Sequence, residues 1–216
     1  STEKPLIVST GMCTMEEVET ALGVLAFGYA KSGDKPPGLK NFQTAFESIE
    51  GKNALKKNVV LLHCTTAYPT PYEEVNLKVL DTMATTFGLP VGYSDHTMGI
   101  SVPVAAVARG AVVIEKHFTM DKSLPGPDHQ ASLDPDELKT MVISIRQIEK
   151  ALGQPKKFPV PSEIENRDIA RKSLVATRDI RAGEIFSESN IDIKRPGNGI
   201  SPLEYWGWLG KTADRD

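Results

Sequence analysis

Residues 90–130 read PVGYSDHTMGISVPVAAVARGAVVIEKHFTMDKSLPGPDHQ. Two short apolar runs in this stretch each end in a polar cluster that holds a histidine. The run at 91–93 leads to Ser94, Asp95, His96 and Thr97, and the run at 111–114 leads to Glu115, Lys116, His117, Phe118 and Thr119. The Gly/Ala/Val-rich residues 99–110 between them read as a closely packed helix. The stretch is therefore a β-α-β unit with a histidine at the end of each strand. In α/β folds, sites gather at the carboxyl ends of parallel strands, so chemistry is expected at this pair.

The same pattern extends outward on both sides. Upstream, the apolar run 59–62 leads to His63, Cys64, Thr65, Thr66, Ala67 and Tyr68 and a proline turn at 69–71. A helix is predicted over 73–87, its stripe being Val75, Val79, Leu80, Met83 and Phe87. Further upstream, the run 5–10 (PLIVST) is broken by Gly11. Thr14 then opens a helix with Glu17 in the capping-box position, and Val18, Ala21, Leu22 and Leu25 recur at helical spacing. A loop at 33–38 (GDKPPG) and helical segments at 39–48 and 51–57 form a surface excursion within a long connection. Downstream, a loop at 120–132 precedes a helix started by Asp134, Pro135 and Glu137, with Met141, Val142, Ile145 and Ile148 expected to face inward.

Strand and helix thus alternate four times, which predicts a parallel sheet with right-handed crossovers. A (β/α)8 barrel needs eight such units and roughly 250 residues. About 150 residues with four units predict half of one, over 1–152. Residues 153–170, rich in proline and lysine, read as a linker, and 171–216 as a small, Gly-rich, mostly irregular or β module.

Composition narrows the function. A net charge of −3 argues against a nucleic-acid footprint and offers no basic face to a membrane. No apolar run approaches the roughly 20 residues of a spanning helix. The polar start and the early end of the first apolar run show no signal-peptide pattern, so a cytoplasmic location is expected. The two cysteines, Cys13 and Cys64, are expected as free thiols. No GxGxxG, GxxxxGK[ST], GxSxG or CxxC pattern is present.

His96 and His117 lie 21 residues apart, one β-α-β unit. Neighbouring strands pair at about 4.8 Å, so the two rings are expected within a few ångströms. Such a pair can hold a divalent metal with open positions, or be hydrogen-bonded among loops. Asp128 and His129 could complete a metal site. Alternation turns Glu115 and His117 to one side and Lys116 to the other, as a surface or supporting residue. Ser9, Thr10, Thr65, Thr66, Ser94 and Thr97 follow apolar runs, where hydroxyls and helix N-termini suit phosphate or carboxylate; helix capping is the alternative. Tyr68 could pack or bind substrate. Arg195, in a loop of the small module, becomes interesting only if that module covers an active site.

Five stretches, IVSTGM (7–12), LLHCTTAYPTP (61–71), GYSDHT (92–97), VIEKHFTMDKSLPGPDH (113–129) and KRPGNGISPLEYW (194–206), together resemble the bacterial N-acetylneuraminate (sialic acid) synthase family. The resemblance covers nearly the whole chain. It implies the second half of a TIM barrel, from strand five, joined to part of an antifreeze-like (SAF) domain. It implies a metal-dependent condensation of phosphoenolpyruvate with N-acetylmannosamine that releases phosphate. C3 of phosphoenolpyruvate attacks the sugar aldehyde, and water attacks C2 of the resulting cation. The implied ion is divalent, Mn2+ first, with Mg2+ or Co2+ as alternatives. His96 and His117 become its ligands and, with Asp128, the catalytic set. Ser9 and Ser94 would contact phosphoenolpyruvate, and Tyr68 would lie in the sugar site with Thr66, where some members carry Asn. Arg195 would reach the sugar of a partner in a domain-swapped homodimer. A related nonulosonate of legionaminate type is an alternative product. The resemblance also places much of the acid/base and phosphate equipment in strands one to four, so this chain alone is not expected to turn over. A complementary N-terminal half, or a role as a non-catalytic assembly piece, follows from that. An isolated half-barrel has two unpaired edges and an apolar inner face, which predicts self-association.

Overall fold

A computed structural model describes residues 4–30 and 35–216. The loop expected at 33–38 lies outside the described residues at Gly33 and Asp34. The chain divides into two compact units, 1–153 and 154–216.

The first unit runs β1 (Leu6–Ser9), α1 (Met15–Tyr29), α2 (Leu39–Glu47), α3 (Ile49–Asn58), β2 (Val59–Cys64), α4 (Val79–Phe87), β3 (Val91–Asp95), α5 (Ser101–Ala108), β4 (Ile114–Lys116) and α6 (Pro135–Leu152). The strands form one sheet in the order β1-β2-β3-β4, every pair parallel. This is a half-barrel, as the four strand-helix repeats predict. Alternation sorts the strand residues by face. Val59, Leu61, Val91 and Tyr93 point outward into one core with Val18, Leu22 and Ala26 of α1, Leu80 and Met83 of α4, and Ala106 of α5. Each large side chain buried there contributes roughly 1.5–3 kcal/mol. Ser9, Cys64, Ser94 and His96 fall on the opposite, inner face.

Two local rules act as the sequence suggests. Thr14 accepts from the Glu17 amide while the Glu17 carboxylate accepts from Thr14 N, and Asp134 and Glu137 repeat this box at α6. Three expectations change. The helix expected over 73–87 is a 3-10 turn at Tyr72–Glu74 followed by α4 from Val79. Asn76 takes a left-handed φ of 50°, which no continuous helix allows. Val142 is exposed rather than inward, and Met141 alone on α6 is buried. The residues read as a linker contain a helix, α7 (Pro161–Ala170). Pro161 stands at the first helical turn, where proline is compatible with a helix start, and Glu163 accepts from Val160 N.

At Gly92 the backbone is approached closely by Val113, the residue before β4. A Cβ there would lie 2.5 Å from the Val113 carbonyl oxygen and 2.6 Å from a Leu62 methyl. The substitution Gly92→Ala is expected to cost about 1–3 kcal/mol by forcing β3 and β4 apart, read as a lower urea midpoint with an unchanged slope.

His63, on the outer face, donates Nε2–H to the Val75 carbonyl at 2.8 Å and packs beside Tyr93. Burial holds its pKa below the usual 6.5, against the raising effect of that hydrogen bond. The neutral ring is the folded form, while the unfolded chain takes up the proton more readily. Stability is then complete above about pH 6.5 and falls as pH drops toward the lower folded pKa. The urea midpoint is expected to fall between pH 7 and pH 5 more in the wild type than in His63→Gln; equal slopes would remove His63 as the cause.

The second unit continues from α7 into β5 (Ser173–Ala176), β6 (Ile191–Lys194) and α8 (Tyr205–Trp208). β5 and β6 are antiparallel, and a bridge joins Ile185 to Thr212. Asn190, almost fully buried, donates to Ile185 O and accepts from Ser187 N. No helix among the described residues is long and apolar enough to cross a membrane.

Candidate active site

The register of β3 on β4 builds the site. Ser94 pairs with Glu115 and Asp95 with Lys116, each 21 residues apart, so His96 and His117 continue the same pairing one step beyond. Their ring centroids are 5.3 Å apart. Tyr68, from the loop after β2, completes a triangle. Its ring lies 4.0 Å from His96 and 5.0 Å from His117 by centroid. Its hydroxyl is 2.8 Å from His96 Nε2 and 3.3 Å from His117 Nε2.

Hydrogen bonding assigns the His96 tautomer. Nδ1 lies 2.6 Å from the Thr65 carbonyl, which can only accept. Nδ1 therefore carries the proton, and Nε2 keeps a lone pair aimed into the site. The Tyr68 phenol donates to that lone pair. Its pKa is raised by partial burial first and then by nearby acidic groups, Asp128 and Glu115 among them, which keeps the proton in place. The loop is tied to the strand end: Thr70 N donates to His96 O at 2.9 Å, and the buried Thr70 hydroxyl donates to Ala67 O.

Both Nε2 atoms converge on the point now held by the phenol oxygen. Two imidazoles suit a divalent first-row ion, and a backbone carbonyl on the far nitrogen is the usual way such a ligand is oriented. The donor set thus fits the ion as two of its ligands. Among the described residues, no group of three or more His, Cys, Asp or Glu could hold an ion, so this pair would supply two ligands and no more.

The remaining expected residues divide. Ser9 is exposed on the inner face at the end of β1. Ser94 is buried and donates to Glu115 Oε1 at 2.7 Å. Thr66 is exposed, its methyl group against Gly11, where a Cβ would come within 2.8 Å. Asp128 is exposed, with its carbonyl accepting from Ser132. His129 is tied to Thr119, at 2.7 Å, rather than to the histidine pair. Arg195 is exposed in the loop after β6 of the second unit. Three of the six hydroxyls expected to face an anion donate to protein oxygens. Thr10 donates to Leu62 O, Thr65 to Glu74 O and Ser94 to Glu115, so these protons cannot reach an anion at the same time. Cys64 is a buried free thiol, 3.8 Å from His96 Nδ1, and Cys13 an exposed one.

Sequence reasoning gave Asp95 no role and left Lys116 between surface and support. Both are buried, 0% and 3% exposed by side chain, and form an ion pair. The signal was available, because opposite charges at the same 21-residue offset as the histidines must be neighbours.

The fold and the strand-end geometry define a half-barrel α/β protein of the TIM type with a separate small β module. The NeuB family model matches residues 1–157 and the SAF domain model residues 171–216, and the chain belongs to the NeuB family. It is 50% identical over 213 residues to the N,N'-diacetyllegionaminic acid synthase of Campylobacter jejuni, covering 99% of this chain and 57% of that protein. It is 47% identical over 204 residues to the synthase of the same name from Legionella pneumophila, covering 94% and 51%. Among solved structures, N-acetylneuraminic acid synthetase of Leptospira borgpetersenii superposes with a TM-score of 0.52 at 33% identity, covering 74% of this chain and 55% of that one. The chain spans about half the length of the curated relatives it matches.

Proposed function

We propose that this chain carries the metal- and sugar-facing half of the active site of a nonulosonate synthase, a C–C bond-forming transferase. It joins phosphoenolpyruvate to an N-acetylated hexosamine and releases phosphate. A diacetamido hexose, giving a legionaminate-type product, is favoured over N-acetylmannosamine by the likeness to the two N,N'-diacetyllegionaminic acid synthases. The observation that carries the reading is the pair His96 and His117, with Nε2 atoms converging on one point at the strand ends of the inner face.

His96 and His117 would hold the divalent ion, Mn2+ first, in place of the Tyr68 hydroxyl. When bound, such an ion supplies Lewis-acid polarisation of the sugar carbonyl and a template for its orientation. The protein groups do the rest. The Thr65 carbonyl keeps His96 Nε2 available. Tyr68, released from His96, is a protonated phenol able to donate to a sugar oxygen. Ser9 and Ser94 line the phosphoenolpyruvate side, Ser94 by exchanging its bond to Glu115. Asp128 stands at the sugar with its carboxylate exposed. Arg195 serves the sugar of a partner in a cytoplasmic, domain-swapped homodimer.

The chain is mixed with a complementary N-terminal half-barrel, phosphoenolpyruvate, Mn2+ and either N-acetylmannosamine or a diacetamido hexose, and phosphate release is followed. Release is expected only when both halves are present, and faster with the diacetamido sugar. Silence from the reconstituted pair, or full turnover by this chain alone, sinks the reading.

A further inference from the structure

We infer that Asp95 and Lys116 are positioning residues that set the separation and aim of the two histidines. Each immediately precedes one of them. Their side chains meet across β3 and β4 at 2.5 Å on the outer side of the sheet, behind the site, and are almost wholly shut from water. Lys116 Nζ also donates to the Thr97 carbonyl at 2.6 Å, and Asp95 Oδ1 accepts from Thr97 N at 2.9 Å. One ammonium and one carboxylate thus grip the residues on both sides of His96. Thr70 N holds the His96 carbonyl from a third direction. With its backbone fixed at three successive residues, the His96 ring keeps Nδ1 on Thr65 O, and this leaves Nε2 pointing at the Tyr68 phenol oxygen, the point that His117 Nε2 also faces. The grip also pins β4, because Lys116 and His117 are adjacent.

A buried ion pair is seldom the most stable filling of such a place, since desolvating both charges offsets much of their attraction. Its retention here fits a geometric task, because an ammonium with two fixed acceptors aligns two strand ends more tightly than apolar packing does. This inference rests on the metal-site reading, and its test separates the two.

The comparison uses the double variant Asp95→Asn with Lys116→Met, measured in the chain reconstituted with its complementary half. Asparagine keeps the acceptor for Thr97 N, and with no charge left unpaired in the interior the double variant is more stable than Lys116→Met alone. Two quantities are read: the nitrogen-15 signature of the His96 tautomer without metal, and Mn2+ affinity by electron paramagnetic resonance. The wild type is expected to show a single Nδ1–H tautomer. The double variant is expected to show a mixture, and to bind Mn2+ about 10- to 100-fold more weakly, as outer partners of metal ligands do when lost. A folded double variant with the wild-type tautomer and wild-type Mn2+ affinity overturns the inference. A wild type that binds no Mn2+, with the tautomer still lost in the variant, overturns the metal reading and leaves the positioning role standing.

Discussion

Replacing His96 by alanine is expected to weaken Mn2+ binding by more than about 100-fold and to end phosphate release in the reconstituted enzyme. Loss of an outer partner of a ligand costs about 10- to 100-fold in metal affinity, and loss of the ligand itself must exceed that. Among the described residues, no third His, Cys, Asp or Glu joins the pair to replace it. The fold is expected to survive. His96 lies one residue beyond β3, partly exposed, and its ring is absent from the apolar core. Mn2+ titration at constant helical circular dichroism separates the two effects. Full activity and wild-type Mn2+ affinity in His96→Ala would remove it as a ligand.

The site was readable where spacing alone decides contact. Parallel strands in register convert an offset of 21 residues into side-by-side placement, so His96 with His117 follows from counting. The same count applied to charge finds Asp95 with Lys116, since only burial, not adjacency, was hidden. Hydroxyls were less legible. Thr10, Thr65 and Ser94 stand where an anion pocket was expected, yet each donates to a protein oxygen brought close by tertiary structure. Tyr68 illustrates the same limit. Its place between the rings depends on a loop path through Thr70, which no periodicity encodes. In the fold, the capping boxes at Thr14 and Asp134 are local and were readable. The break at Asn76 turns on one left-handed residue within an otherwise helical stripe. α7 went unread because its face is exposed throughout, so it has no apolar stripe to announce it.

Lys116→Met is expected to destabilise the first unit by about 3–5 kcal/mol, because it strands one charge of a buried pair. Asp95 is fully enclosed, and without the ammonium its carboxylate keeps the Thr97 amide as its principal donor. Tyr93, beside it, offers little relief. Its hydroxyl is buried without a hydrogen bond of good geometry, and its pKa is driven up by burial first and by the Asp95 charge second. For a unit of about 150 residues, the loss corresponds to a fall in Tm of roughly 6–20 °C. The contrast with an exposed pair sharpens the point. Arg146 meets Glu149 at 2.8 Å in full contact with water, and Arg146→Ala is expected to leave the midpoint where it was. The difference between the two lysine and arginine variants measures the effect of enclosure, because both remove one cation from one carboxylate. Urea unfolding of the two variants, followed by circular dichroism, decides it. A Lys116→Met midpoint within experimental error of the wild type would mean that water reaches Asp95, and the buried grip on His96 would go with it.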